Sequence, residues 1–262
     1  GIHVSNSATV EAQDSGSVTL TGTGSAAGTG TNIGVRVENT GTRVGVKDGN
    51  LTINGTGGGS TGIYQFGIYL NDEALVESTG LGAVNLIGTG GVNGTDSNFG
   101  VYLNSAAELR SAVGNIVVDG TGGGTGTGNY GVYLNSGSVI ESTGTGANAA
   151  TVTLTGTGSA FGDNTNHGVQ LNGTGTTVSS LAGDISVVGS GGGSGAQNFG
   201  IGMGNNAVIE STGTGANAAT VTLTGIGGSG GSGDQNHGTY LTGASTAVRS
   251  VDGDIAVHGT GG

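Results

Sequence analysis

The sequence predicts an all-β fold: a right-handed parallel β-helix, or β-solenoid, of about eight coils with three strands in each. Three observations carry this. A seven-residue stretch, Asn98-Phe99-Gly100-Val101-Tyr102-Leu103-Asn104, returns in edited form seven more times, about 33 residues apart. Between returns, apolar residues recur at every second position, which is the period of a strand. Gly supplies 63 of the 262 residues, and such a content opposes the helical repeats of similar period.

The edited copies open at Gly1, Asn32, Gln65, Asn129, Asn166, Asn198 and Asn236. Counted from the motif glycine, a single solenoid domain over 1–262 divides into units 1–33, 34–66, 67–99, 100–130, 131–167, 168–199, 200–237 and 238–262. The motif is the first strand, with Phe99, Val101 and Leu103 expected on one face. The second strand is short, as in Ala74-Leu75-Val76-Glu77-Ser78 and Ser138-Val139-Ile140-Glu141-Ser142. The third is the clearest. Two apolar residues flank one that points out, as in Val18-Thr19-Leu20, Ile116-Val117-Val118 and Val152-Thr153-Leu154. A Gly-rich run then leads to the next unit.

Hairpin signals do not mark every turn. Each unit therefore reads as one coil whose strands pair with their copies about 4.8 Å above and below. A β-propeller would need four antiparallel strands per unit. Odd units carry Glu-Ser-Thr-Gly before the third strand (77–80, 141–144, 210–213), and even units carry a Gly-Asn or Gly-Asp turn (49–50, 114–115, 183–184, 253–254). The true period is a two-coil module. One coil buries too few side chains to be stable alone, so stacking must hold it.

Stacking turns repeated positions into columns. Tyr69, Tyr102 and Tyr133 fall in register and point outward. Aromatic stacking is the preferred reading, and a sugar-binding stripe is the alternative. Asn71, Asn104, Asn135 and Asn172 predict an amide ladder. One position of the second strand reads Glu11, Gly45, Glu77, Arg110, Glu141, Ser179, Glu210, Arg249. Its alternation predicts a charged column that sets register, with Arg110 between Glu77 and Glu141. The motif glycine is expected on the outer face, needing either φ > 0 or a closely packed neighbour.

The chemistry legible in the sequence is sparse. A net charge of −12 with five basic residues argues against nucleic acid and anionic membrane as partners. No Cys is present, so disulfides and thiolate metal sites are excluded. No apolar run has transmembrane length, and no membrane insertion is expected. Asp96, Asp163 and Asp234 precede the motif, each near Asn98, Asn166 or Asn236; such loops can hold Ca²⁺. Asx turns favour the same residues and are preferred, so calcium is the one candidate ion and no cofactor is expected. Asp252 and Asp254 are the one close Asp pair, in an ordinary turn; Lys47 stands alone; His3, His167, His237 and His258 have no metal spacing. No catalytic, cofactor-binding or metal residue is assigned, and no enzyme is expected. The outward row Thr19, Thr52, Asn85, Val117, Thr153, Ser186, Thr222, Ala256 is too interrupted for an ice-binding face.

Units such as Gly168-Val169-Gln170-Leu171, followed by Leu181-Ala182-Gly183-Asp184-Ile185-Ser186-Val187 and Gly-Ser-Gly-Gly, resemble the β-strand repeats of large bacterial surface proteins of the filamentous-haemagglutinin and adhesin kind. The resemblance is one of repeat style across all eight units and carries over no functional residue. It implies an extracellular solenoid at a bacterial cell surface, serving as stalk, fibre or sheath. A carbohydrate-binding adhesin surface is the alternative, with surface polysaccharide as partner. A polysaccharide-active enzyme is a third reading. The final unit keeps the even pattern, so Gly262 can be followed by a copy of Gly1. The segment is expected to continue into like coils, along a longer chain or by end-to-end contact of copies.

Overall fold

A computed structural model of the chain describes residues 1–27, 30–229 and 235–262. Three eight-stranded sheets run the length of the molecule, each built from one strand per coil. Every pairing is parallel and joins a strand to its copy in the next coil: Tyr102 lies opposite Tyr69 and Tyr133, and Val118 opposite Leu86 and Leu154. In the fourth coil the three strands are Val101–Leu103, Glu108–Ser111 and Ile116–Thr121. The all-β solenoid of about eight coils is therefore as the repeat predicts.

The core is one column of small and branched side chains. Val101, Leu103, Leu109, Ile116 and Val118 close it in the fourth coil, and their counterparts continue it above and below. All five are wholly buried. β-Branched residues and Leu suit the inner pleat because each packs on its own copy in the adjacent coils.

The third strand is longer than the sequence pattern indicates. It runs six residues in every coil and carries a glycine near its end, as in Val152–Thr157 with Gly156. That glycine meets the motif glycine of the following coil. A Cβ added at Gly120 would lie 2.1 Å from the Gly131 carbonyl oxygen, and one at Gly100 would lie 2.4 Å from the Thr121 nitrogen. The motif glycines are absent from the positive-φ residues, so close backbone approach is what requires them. The contact pinches off the Gly-rich run as a side lobe between the third and first sheets.

The corner between the first and second strands is made differently. Asp72 and Glu73 sit at φ 50° and 61°, and Ser105 and Ala106 at 49° and 59°. Side chains there cost roughly 1–2 kcal/mol each relative to glycine. The corner persists because its amides are tied to the next coil: Glu73 N–H donates to Ser105 O (2.9 Å) and Ala106 N–H to Ser136 O (3.0 Å).

Phe99 departs from the expected pattern. Val101 and Leu103 enter the core, but Phe99 lies outside it, stacked between Phe66 and Tyr130 and edge-on to Tyr102. The first strand begins only after Gly100, so the two-residue alternation does not reach back to Phe99.

The glycine contact can be tested by substitution. Gly120→Ala is expected to destabilise the chain by about 1–3 kcal/mol or more, because the Cβ meets only backbone and β-carbon branches. Gly146→Ala meets nothing within 4 Å and should stay within about 0.5 kcal/mol of the parent. Urea denaturation of both variants measures the difference, and equal losses would show that the approach is not what fixes the column.

Candidate functional site

The lobe and the first sheet together hold the amide ladders and the aromatic rings of the molecule. Inside the lobe runs a ladder of buried amides. The side-chain oxygen of Asn98 accepts the Gln65 N–H (3.0 Å), that of Asn129 the Asn98 N–H (2.8 Å) and that of Asn166 the Asn129 N–H (3.0 Å). Asn198 and Asn236 continue it at 2.7 and 2.8 Å. Each bond joins consecutive coils, which satisfies backbone donors that a Gly-rich segment cannot satisfy with side chains of its own.

These are the asparagines that the calcium reading needs. Asn98 and Asn166 are fully buried and spend their amides inside the ladder; Asn98 Nδ2 also donates to Asn129 Oδ1 (2.9 Å) and Asn166 Nδ2 to Asn164 O (3.0 Å). Asp96 accepts the Thr127 N–H at 2.7 Å, from the next coil. Asp163 lies in the same lobe, where its carbonyl accepts Asn198 Nδ2 (3.1 Å). Asp234 lies outside the described residues. Among the described residues no group of three His, Cys, Asp or Glu is placed to hold a metal ion.

Above the lobe lies a ring ladder that the sequence pattern does not reveal as one. Phe66, Phe99, Tyr130, His167 and Phe199 stack face to face with centroids 5.1, 5.1, 4.9 and 4.7 Å apart. His237 follows at 5.7 Å. Beside it runs the expected column of Tyr69, Tyr102 and Tyr133, with centroids 5.0 Å apart. The two columns meet edge to face, as in Phe99 on Tyr102 and Tyr130 on Tyr133. Ring faces between coils are thus occupied by other rings, which favours the stacking reading over a sugar stripe along this column.

The amide ladder of the first sheet is present as expected. Asn104, Asn135 and Asn172 each donate Nδ2 to the Oδ1 of the preceding Asn71, Asn104 and Asn135, at 2.9, 3.1 and 3.1 Å. Asn205 adds a further rung (2.8 Å). The tyrosine hydroxyls lie beside this ladder, Tyr69 near Asn104, Tyr102 near Asn135 and Tyr133 near Asn172. Burial pushes the Tyr133 hydroxyl up to about 12, and Tyr102 rises for the same reason. Arg36 ends the column by lying over the Tyr69 ring, 5.6 Å from its centroid.

The charged column differs in detail from the expectation. Gly45 is not a gap, because the Arg43 guanidinium lies across it and reaches both Glu77 (2.7 Å) and Glu11. Arg110 has Glu77 as its register partner, yet its ion pairs are with Glu108 (2.7 Å) and Glu141 (3.7 Å). Glu77 is taken by Arg43. Arg249 pairs with Glu210 at 2.7 Å. Charge still alternates from coil to coil, with Ser179 as the one neutral break.

The remaining candidates are dispersed. Asp252 accepts the Gly215 N–H (2.7 Å), and the Asp254 carbonyl accepts Val221 N–H (2.9 Å). Lys47 pairs with Asp14 at 3.2 Å and His3 with Glu38 at 2.8 Å. His258 stands on the outer face of the third sheet, opposite Thr224. That longer sheet has a second Thr row, Thr23, Thr56, Thr89, Thr121 and Thr157, but Ile87, Asp119 and Val188 interrupt the row between it and the first. No family model matches the chain, and neither the curated proteins nor the solved structures searched contain a match.

Two measurements follow from the ladders. A double-mutant cycle on Arg43 and Glu77 should return a coupling of about 0.2–1 kcal/mol. The same cycle on Arg110 and Glu77 should return less, and the reverse order would contradict the pairing. His167 is buried between Tyr130 and Phe199, and its Nδ1 accepts the Phe199 N–H (3.1 Å). Burial pulls its pKa down to about 3, from an ordinary value near 6.5. The unfolded chain therefore takes up a proton that the folded chain refuses, so stability is full above pH ~6.5 and falls as pH drops toward 3. Between pH 7 and 5 the loss should be about 2 kcal/mol, and His167→Phe should remove most of it while keeping the stack. A wild-type melting temperature flat over that range would contradict the assignment.

Proposed function

We propose that the chain is a non-enzymatic structural element of an extracellular fibre, stalk or sheath at a bacterial surface, extended by continued solenoid stacking. One observation carries the reading. The amide ladders, the ring stacks and the ion pairs of Arg43 and Arg249 all join one coil to the next. A structure that invests its specific contacts along the axis is built for length.

In the 262-residue chain the last coil presents apolar side chains on its axial face, where a stacked copy would meet them. Leu241, Ile255 and Val257 are 41, 44 and 50 % exposed, whereas their counterparts Leu134, Ile116 and Val118 are wholly buried. Arg249 has Glu210 on one side only, and Glu11 holds the same column position in the first coil. A following odd coil would cover the apolar positions and set a carboxylate beside Arg249.

Sedimentation and negative-stain microscopy of the 262-residue chain at micromolar concentration test this. Filaments one coil wide, weakened by Leu241→Asp or Val257→Asp, are the expected outcome. A soluble monomer under all conditions would defeat end-to-end assembly of copies. Continuation along one chain would then remain, checked by fusing two copies in tandem and asking whether the fusion melts as one unit at a higher temperature.

A further inference from the structure

The ring ladders have an irregular end at the third coil, and a groove opens there. Ile63 and Tyr64 are 41 and 46 % exposed, an adjacent pair of large apolar side chains on the lobe. Tyr64 sits at φ 60°, immediately before the motif. In later coils this left-handed position holds Ser97, Gly128, Thr165, Gln197 and Gln235. Small or polar residues are what such a backbone favours. A tyrosine there gains no place in the core, so its ring is the feature in need of a cause.

Tyr64 packs tilted on Phe66, with centroids 6.0 Å apart, and no ring lies flat against it among the described residues. With Thr31, Ile33, Arg36, Phe66 and Tyr69 it lines a groove of about 370 Å³, within the ~300–1,000 Å³ range of small-ligand sites. The preceding coil supplies Ile33 and Arg36 here in place of rings. Arg36 is committed to Glu38, so the groove is close to electrically neutral. An anion would compete with Glu38 for Arg36, against a chain of net charge −12.

We propose that this groove binds a neutral sugar residue, its C–H face stacked on the Tyr64 ring and its hydroxyls met by Thr31 and Arg36. An aromatic face beside a few polar groups is the arrangement that a pyranose, apolar on its faces and polar at its rim, requires. The site is independent of solenoid extension: a filament forms with the groove blocked, and a monomer keeps the groove.

The test is binding of the full 262-residue chain to an array of neutral hexose and N-acetylhexosamine oligosaccharides, with acidic oligosaccharides alongside and titration calorimetry on the best binder. Wild type should bind at least one neutral glycan in preference to the acidic ones. Tyr64→Phe should keep the affinity, since the ring face remains. Tyr64→Ser, which installs the residue of the next coil, should weaken binding about tenfold with an unchanged or raised melting temperature. Absence of neutral-glycan binding by wild type, preference for acidic glycans, or equal affinity in Tyr64→Ser would each overturn the proposal.

Discussion

Backbone pressed on backbone at the glycine corner fixes the cross-section of this solenoid. The third strand ends and the next coil's first strand starts with no room for a Cβ between them. The contact closes the three-sheet tube and leaves the intervening residues to fold outward as a lobe. The lobe can then vary by a residue or two without disturbing the sheets, since its ends are fixed by the pinch. The buried asparagines and the stacked rings both occupy positions that this geometry creates. Glycine is abundant here because coils pack closely, which is a different use from flexibility.

Most of the specificity in the molecule points along its axis. In a globular domain, side chains interlock between different elements, and each site is chemically distinct. Here a side chain meets its own copy one coil away. Residue types that pair well with themselves are therefore favoured: amides, which both donate and accept, and flat rings. Charged residues cannot pair with themselves, which is why they alternate. His167 fits the same logic, as a flat ring able to replace Phe or Tyr in the stack provided it stays neutral.

The architecture was legible because period-two apolar spacing and a fixed repeat admit few folds. The Tyr69 and Asn71 columns were equally legible, since register alone aligns them. What lay hidden depended on geometry outside the strands. Phe99 reads as inward by parity, but parity stops at Gly100. The ring ladder was obscured because its members differ, with Phe, Tyr and His filling one role. Arg43 lies two residues from the column it completes, and only its long side chain crossing Gly45 brings it there. Two left-handed corners place Glu73 and Ala106 where a turn would favour Gly or Asn, because hydrogen bonds to the next coil override local preference.

The alternating charges along the second sheet bear on how such a molecule can change over generations. Inserting or deleting one coil would bring carboxylate against carboxylate and guanidinium against guanidinium. Inserting or deleting two leaves every neighbour as it was. The stretch 141–156 recurs letter for letter at 210–225, two coils further on. Recombination between such copies adds or removes a whole pair. The length of the rod is in this sense a heritable quantity, and a change by two coils within the array leaves the alternation of charge undisturbed.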